Sequence, residues 1–499
     1  MIVHFKSYLF CILSSMMPGV SGLSAQPQRL EAARPNVLFI MVDDLRPELG
    51  CYGLDYPKTP NIDKLASRSL LFRNHYVTVP TCGASRASLL MGRLPRKPTD
   101  LTNEAFEHRF GMGDGKPSTV PESFVEHFRR NGYHTVGMGK ISHSPDGYVY
   151  KYEEPRSNRR ELPNSWDELC FNPGIWTTGW NSFFGYANGT NRNALNGQVS
   201  PYEWAEVSDE GYPDGLTAAL AVQKIGQLAS TTKPFFLGVG FFKPHLPFNA
   251  PKRYWDLYDP NDIPLAPFTG LPEHVNISSL QASGEFNGYN KGDEKASLSF
   301  TLSEAYARKL RHGYMASVSY VDAQIGKLLE ALHASGLEKN TIVILWGDHG
   351  WHLGDHRVWG KHTLSEWSLR SPLIMAGPGI RGGSVSERVV RSIDIYPTLV
   401  TLCGLSVPDS LDGNSLLSTS GSISRLSRGQ SAFGFFNRGV TMRTRRYRLT
   451  RYDRRDQPDI ELYDHRKDPY EHVNIAARRP ALTRRLLRRI PSASMIYKN

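Results

Sequence analysis

The chain has 499 residues, of which 40% are hydrophobic, and its formal net charge is +11. That apolar content is in the range of globular proteins, and the length allows one large domain and a smaller one. A disulfide framework is excluded, because Cys51, Cys170 and Cys403 can form at most one bridge once Cys11 and Cys82, discussed below, are set aside.

Residues 1–25 have the composition of a secretory signal peptide. Lys6 precedes an apolar stretch at 8–17, and small residues follow at 20–25. The stretch, which includes Cys11, is too short for a comfortable membrane span, and an apolar N-terminal helix is the alternative. No later segment offers an uninterrupted apolar span. We therefore expect a periplasmic or secreted protein with no membrane span.

The first predicted strand after this segment ends in two acids. Residues 36–42 are apolar and follow Pro35, and Asp43 and Asp44 come next. The pattern indicates a buried parallel strand, and α/β sheets hold their sites at the carboxyl ends of such strands. Alternatively, the two acids only cap the helix that follows.

A helix predicted over 84–91 begins beside a single cysteine. Because Gly83 frees the turn, Cys82 is expected near the unpaired N–H groups of the helix start, which favour negative charge. Arg86, one turn further, can lie beside it and donate to an oxyanion. The alternative is a small core residue.

Two further strand-like runs, 135–138 and 235–242, lead into basic residues. Lys140 and His143 follow the first, and His245 follows the second in a loop that its flanking prolines keep extended. Taken singly, each is an ordinary polar loop residue. Parallel strands would bring all three to one sheet edge.

A strand predicted over 341–346 ends in Asp348 and His349, and Lys361 lies just beyond. With Asp43 and Asp44, this places three carboxylates and an imidazole at the same edge. Clustered carboxylates repel one another and need a cation, and oxygen ligands suit calcium or magnesium better than zinc. A turn that starts at Asp348 is the alternative.

Residues 82–93, Cys-Gly-Ala-Ser-Arg-Ala-Ser-Leu-Leu-Met-Gly-Arg, resemble the signature of the type I sulfatases, in which the cysteine is oxidised to formylglycine. The family pattern is Cys-x-Pro-Ser-Arg with a downstream Gly-Arg, and Ala84 stands where proline is usual. The resemblance covers most of 34–400 and reaches 461–471. Residues 243–248 and 348–354 are most similar to iduronate-2-sulfatase-like members.

The resemblance implies an alkaline-phosphatase-like α/β fold, a mostly parallel sheet covered by helices on both faces, with a smaller C-terminal antiparallel subdomain. The organisation is then a signal peptide at 1–25, a catalytic domain at 34–404 and a C-terminal subdomain at 405–499. Alternating strand and helix signals agree with it, including helices expected over 121–130 and 305–333.

The resemblance also implies a site. One Ca²⁺ per chain would be held by Asp43, Asp44, Asp348, His349 and the modified Cys82, although many relatives have asparagine where this chain has His349. The implied catalytic residues are Cys82, Arg86, Lys140, His143, His245 and Lys361. Of these, Arg86 would hold the hydrated aldehyde, and Lys140 and Lys361 the sulfuryl oxygens. His245 would protonate the leaving oxygen, with Lys361 as a second candidate donor, and His143 would assist release of sulfate.

The implied activity is hydrolysis of sulfuric esters on a sulfated oligosaccharide or polysaccharide, with a 2-O-sulfated uronate suggested by the iduronate-2-sulfatase likeness. A formylglycine-generating enzyme or an anaerobic maturation enzyme would be a partner. Two alternatives stay open: a formylglycine-dependent phosphate ester or phosphonate hydrolase of the same superfamily, and an inactive basic glycan-binding protein with an unmodified cysteine.

Two segments outside these motifs are distinctive. Residues 144–212 are rich in Asn, Gly, Trp and Pro, and we interpret them as loops over the site. Their tryptophans either stack on sugars or pack in the ordinary way; they are Trp166, Trp176, Trp180 and Trp204.

Basic residues concentrate late in the chain, first on an expected exposed antiparallel strand and then on a terminal helix. The first group is Arg443, Arg445, Arg446, Arg448, Arg451, Arg454 and Arg455, and the second is Arg478, Arg479, Arg484, Arg485, Arg488 and Arg489. No nucleic-acid motif accompanies them, so a polyanionic glycan or a solvated face fits better than nucleic acid.

Overall fold

The computed structural model describes residues 34–110, 123–416, 431–455, 457–491 and 496. The expected signal peptide, Cys11 and the first residues of the helix expected from 121 lie outside these ranges. The strands are β1 (Asn36–Val42), β2 (Leu70–Tyr76), β3 (His134–Gly139), β4 (Glu168–Cys170), β5 (Tyr202–Ala205), β6 (Phe235–Phe241), β7 (Phe248–Pro251), β8 (Thr341–Gly347), β9 (His352–Leu353), β10 (Trp359–Gly360), β11 (Leu373–Ala376), β12 (Ser384–Arg391), β13 (Ala432–Phe436), β14 (Gly439–Arg443), β15 (Tyr447–Tyr452) and β16 (Ile460–Asp464).

The α-helices are α1 (Pro60–Ser67), α2 (Cys82–Met91), α3 (Ala105–Phe110), α4 (Phe124–Arg130), α5 (Gly179–Phe183), α6 (Pro213–Leu228), α7 (Lys252–Trp255), α8 (Gly284–Asn287), α9 (Glu304–Ala334), α10 (Glu366–Leu369), α11 (Ile395–Leu402) and α12 (Pro480–Leu487). Helix α2 begins two residues before its expected start, at Cys82 itself. Helix α9 extends the expected 305–333 by one residue at each end.

Eight strands of the described chain form the main sheet, in the order β12-β2-β11-β8-β1-β6-β3-β4. Strand β1 pairs in parallel with both β6 and β8, and β3 continues the parallel run between β6 and β4. Strand β11 is antiparallel to its neighbours β2 and β8. The expected mostly parallel sheet is therefore confirmed.

Helices cover both faces of this sheet, and strand β1 shows how. Leu38, Ile40 and Val42 belong to a core with residues of α1, α6 and α9. The intervening residues, such as Phe39 and Met41, belong to a second core with α2, α4 and α11. Because both faces are covered, every residue of β1 is buried, which explains the continuous apolar run in its sequence.

The C-terminal part is a separate antiparallel sheet, β13-β14-β15-β16, with α12 packed against it. Arg443 and Arg448 on its strands are buried, so the expectation that this arginine group is an exposed face is wrong for these two. Both pair with Glu366, which the alternation of a single strand could not reveal. All six arginines in and around α12 are exposed, as expected.

The described cysteines, Cys51, Cys82, Cys170 and Cys403, are all free thiols. No helix in the described ranges combines the length and apolar character needed to cross a lipid bilayer.

Candidate active site

The carboxyl ends of four neighbouring strands meet at one edge of the main sheet. Asp43 and Asp44 follow β1, Asp348 and His349 follow β8, and Lys140 follows β3. All five side chains are buried. His245 reaches the same place from the loop after β6, since its Nε2 lies 3.8 Å from Asp44 Oδ2.

Helix α2 brings Cys82 and Arg86 to this edge. The Arg86 Nε donates to Asp348 Oδ2 at 3.0 Å, and another of its nitrogens donates to the Lys140 carbonyl. The Cys82 Sγ lies 3.2 Å from His349 Nε2. Burial, followed by the charge of Asp43, raises the pKa of the Cys82 thiol to about 12, so the unmodified thiol is protonated at neutral pH.

The start of α2 is held by residues that the sequence motif did not explain. The Gly83 N–H donates to the Asn103 side chain at 3.1 Å, and a Cβ at Gly83 would come within 2.2 Å of the Asn103 carbonyl oxygen. Only glycine fits this contact. The Ser85 hydroxyl donates to the Asp348 carbonyl at 2.5 Å, which joins the helix to the end of β8.

Each acid of the site faces a cation. Lys140 Nζ lies 2.5 Å from Asp43 Oδ2, and Lys361 Nζ lies 3.0 Å from Asp44 Oδ1. Although burial opposes ionisation, Lys140 and Arg86 hold the pKa of Asp43 well below its usual range. Burial likewise opposes the charge on Lys361, but Asp44 raises its pKa well above the usual range.

The donor set fits a hard divalent cation. Ligand atoms of Asp43, Cys82, Asp348 and His349 all lie within 4.8 Å of one another. Asp43 Oδ1 is buried without a hydrogen-bond partner, although Arg86 Nη2 lies 3.5 Å away. The carboxylate oxygens of Asp43 and Asp348, one of them unpartnered, suit calcium or magnesium, whereas the unmodified Cys82 thiol and the His349 imidazole are softer donors. Asp44 lies at the rim of this group, with its N–H donating to Asp348 Oδ1 at 3.0 Å.

The two predicted histidines have different surroundings. His143 packs against the Trp180 ring, and its Nδ1 is buried without a hydrogen-bond partner. Burial, reinforced by Lys140, lowers the pKa of His143 well below its usual range, so its ring is neutral. Burial and Lys361 lower the pKa of His245 to about 4, whereas Glu285 opposes this shift.

Glu285, at the start of α8, is a site residue that the sequence did not indicate. Its Oε1 lies 2.7 Å from His245 Nε2, and the carboxylate also lies 3.3 Å from Lys361 Nζ. His245 Nδ1 faces the Leu246 carbonyl at 2.6 Å, so each ring nitrogen meets an acceptor. The two contacts are both hydrogen bonds only when the ring carries both protons, and Glu285 is the group that favours that state.

Six of the site residues line a cleft of about 540 Å³: Cys82, Lys140, His143, His245, Glu285 and Lys361. One wall is aromatic and contains Tyr152, Trp180, Phe183 and Phe184, and Arg192, Asn193 and Asn196 line another part. Of the four tryptophans expected over the site, Trp180 alone lines this cleft. Trp166 and Trp176 are buried in the protein, and Trp204 is exposed but stacks on Tyr202. The sugar-stacking interpretation is therefore wrong for Trp166 and Trp176.

Comparison with known proteins matches two family models to overlapping parts of the chain. A family model described as Sulfatase matches residues 35–405. A second, described as N-sulphoglucosamine sulphohydrolase, C-terminal, matches residues 354–490. The chain is 32% identical to iduronate 2-sulfatase of Mus musculus over 435 residues, which cover 80% of this chain and 72% of that protein.

Two solved structures have a similar fold over most of the chain. The phosphonate monoester hydrolase of Silicibacter pomeroyi matches with a TM-score of 0.67 and 24% identity, over 91% of this chain and 94% of that one. A protein in complex with its substrate D-glucosamine-2-N,6-O-disulfate matches with a TM-score of 0.65 and 21% identity, over 91% and 97%. At these identities the likeness concerns the fold.

Proposed function

The chain belongs to the sulfatase family and is a sulfuric ester hydrolase, and from this premise we propose that it removes sulfate from a sulfated glycan. A 2-O-sulfated uronate is the first candidate substrate. Its support is the 32% identity to iduronate 2-sulfatase over four-fifths of the chain. The alkaline-phosphatase-like fold is the one expected from the sequence.

The nucleophile in this proposal derives from Cys82. The observation that carries it is a cysteine buried between Asp43, Asp348 and His349, with a thiol pKa of about 12. Such a thiol is a poor nucleophile as it stands. Formylglycine at position 82 would supply a hydrated aldehyde oxygen, and a calcium ion held by Asp43, Asp44, Asp348 and His349 would supply positive charge beside it.

The surrounding side chains then have separate tasks. Lys140 and Lys361, both buried and charged, bind the sulfuryl oxygens where negative charge develops. Arg86 fixes the position of Asp348 and adds a further cation beside Cys82. These groups are pre-organised, because each is already held by hydrogen bonds to the strand ends.

Proton transfer falls to the two histidines. His245 Nε2 gives a proton to the departing sugar oxygen, and Glu285 favours the protonated ring against the burial and the Lys361 charge that lower its pKa. His143 has a neutral ring and an unpartnered Nδ1. It accepts the proton whose loss allows sulfate to leave position 82.

Peptide mass analysis combined with desulfation assays tests the proposal. The protein is produced with and without a formylglycine-generating or an anaerobic maturation enzyme. We expect the peptide that contains Cys82 to become lighter by about 18 Da in the matured protein, the difference between sulfur with two hydrogens and oxygen. Turnover of a 2-O-sulfated uronate disaccharide should follow that fraction and be absent in Cys82→Ser. A protein that keeps only the thiol after co-production with the maturation enzyme would lack the proposed nucleophile, which would overturn the formylglycine mechanism.

Hydrolysis of phosphate esters or phosphonates is the second candidate, because the fold is shared with a phosphonate monoester hydrolase. Comparing the sulfate and phosphate esters of one aryl alcohol separates the two. Faster turnover of the phosphate would overturn the first proposal.

We also propose export to the periplasm or the medium, supported by the composition of residues 1–25.

A further inference from the structure

Arg192 lines the cleft that contains Cys82, on a loop with fixed backbone geometry. Its N–H donates to the Phe184 carbonyl at 3.2 Å, and its own carbonyl accepts from the Gly197 N–H at 2.9 Å. Antiparallel pairing of Gly185 with Asn191 closes the same loop. The arginine is therefore anchored at both sides.

The guanidinium of Arg192 is also held in place. Its Cζ lies 4.2 Å from the centre of the Phe184 ring and 5.3 Å from that of the Tyr289 ring. Stacking on rings leaves the edge of the guanidinium, where its N–H groups point, free to donate. Its polar side-chain neighbours in the described chain are uncharged: Asn193 Oδ1, at a long 3.5 Å, and the Tyr289 hydroxyl.

Arg192 has no carboxylate partner in the described chain, unlike the two lysines that line the cleft. Lys140 is paired with Asp43, and Lys361 is paired with Asp44 and Glu285. Within the described ranges, no carboxylate forms an ion pair with Arg192. A positive charge held on aromatic rings without an acid favours an anion brought by the ligand.

The neighbouring residue adds an independent donor. The Asn193 Nδ2 is buried without a hydrogen-bond partner, which is costly unless a ligand or water satisfies it. Asn193 and Asn196 line the same cleft as Arg192. The two adjacent side chains thus present N–H groups to the cleft, and no carboxylate of the described chain forms an ion pair with Arg192.

The position of Arg192 relative to the reacting end suits a second anionic group. Lys140 Nζ lies 4.2 Å from the centre of the Phe183 ring, and the Phe183 and Phe184 ring centres are 4.8 Å apart. The two cations therefore lie on neighbouring rings of one wall, Lys140 beside Asp43 and Arg192 beyond it.

We propose that Arg192, with Asn193, binds a second anionic group of the substrate, a carboxylate or a second sulfate, while the sulfate that is removed lies at Cys82. The part that concerns sulfate removal rests on the proposed function. The planar fork of the guanidinium binds a carboxylate or two sulfate oxygens through paired hydrogen bonds. The preferred substrate is thus an acidic sugar or a disulfated one rather than a neutral monosulfated sugar.

Steady-state kinetics of the matured enzyme test this assignment. Three substrates are compared: a 2-O-sulfated uronate disaccharide, a disulfated glucosamine, and an aryl sulfate with no second anionic group. We expect Arg192→Gln to lower kcat/KM about 10- to 100-fold for at least one of the two dianionic substrates and to leave the aryl sulfate within about twofold. Arg192→Lys should restore part of the loss, because it returns the charge without the fork. Arg381→Gln, an exposed arginine outside the cleft, is the matched control.

A binding measurement separates this proposal from the proposed function. Calorimetric titration of the same dianionic ligands into Cys82→Ala and into Cys82→Ala with Arg192→Gln needs no turnover. A weaker affinity in the double variant supports the role of Arg192, whether or not the matured wild type hydrolyses any sulfate ester. If the wild type hydrolyses none, the sulfatase proposal alone is overturned. Equal affinities, no measurable binding to either protein, or an equal kinetic loss on the aryl sulfate would overturn the role of Arg192.

Discussion

Single charged residues at this site depend on one another because they are buried together. Asp348 accepts hydrogen bonds from Arg86 and from the Asp44 N–H, and its carboxylate belongs to the group that fits a cation. Removing its charge while keeping its shape separates cation binding from folding.

We therefore predict that Asp348→Asn loses bound calcium and activity while remaining folded. The amide oxygen can still accept from the Asp44 N–H, but one of the negative charges that attract the cation is gone. Metal analysis after gel filtration measures calcium per chain, and thermal unfolding reports folding. Asp409→Asn, an exposed acid, is the control. Unchanged calcium in a folded Asp348→Asn protein would remove this residue from the ligand set.

Glu285 acts through His245 in our proposal, so its effect should depend on the leaving group. We predict that Glu285→Gln lowers kcat/KM about 10- to 100-fold for a sugar sulfate but only a few-fold for an activated aryl sulfate. The reason is that a sugar alcohol needs a proton to depart, whereas an aryl oxide does not. Glu153→Gln, the exposed carboxylate that lines the same cleft, is the matched control. Equal losses on both substrates would make Glu285 a binding residue instead.

At the scale of elements, strand ends were predictable and long loops were not. The continuous apolar runs of β1 and β8 identified Asp43 and Asp348, because buried parallel strands have a distinctive sequence. Arg192 lies in the loop-rich segment 144–212, and Glu285 lies on the short helix α8 between α7 and α9. No apolar run leads into either residue, so no sequence pattern marked them. Trp166 was expected over the site only because of the composition of the segment 144–212, but it packs against Phe236 of the sheet.

The loop after β3 that carries His143 is held by a hydrogen bond to a buried acid, Glu161. Glu161 Oε2 accepts the Ser144 N–H at 2.9 Å, and burial raises the pKa of Glu161 from 4.5 to about 7. Its folded-state pKa exceeds that of the unfolded chain, so the folded protein binds more protons between these values. Stability therefore falls as pH rises from 4.5 to 7, by about 3 kcal/mol.

We predict that Glu161→Gln removes this pH dependence. The unfolding midpoint of the variant minus that of wild type should be larger at pH 8 than at pH 4.5, because wild type loses stability as Glu161 ionises and an amide cannot ionise. Unfolding midpoints measured across this range, with exposed Glu154→Gln as the control, test the prediction. The prediction is contradicted if the difference in unfolding midpoint between wild type and variant is the same at every pH.

At the scale of the whole molecule, buried ion pairs join the C-terminal sheet to the main body. Arg448 of β15 lies 2.5 Å from Glu366 Oε2 and 2.6 Å from Glu471 Oε1. Glu366 also accepts from the Tyr76 hydroxyl at the end of β2, at 2.8 Å. A basic strand looked solvent-facing in the sequence because its partners come from distant segments, which no local pattern reports.

Arg448→Met should therefore weaken the attachment of the C-terminal sheet. It leaves Glu366 and Glu471 buried with less compensation, and breaking such a pair costs about 3–5 kcal/mol. We expect a lower denaturation midpoint and reduced activity, since Glu366 begins α10 five residues after Lys361. Arg445→Met, at an exposed arginine of the same group, should change stability by no more than about 0.5 kcal/mol.

Adding Glu366→Gln and Glu471→Gln to Arg448→Met should recover part of the lost stability, because the unpaired charges are then gone. If Arg448→Met alone unfolds like wild type, the network does not stabilise the attachment, and the C-terminal sheet depends on apolar packing around Leu449 and Leu462 instead.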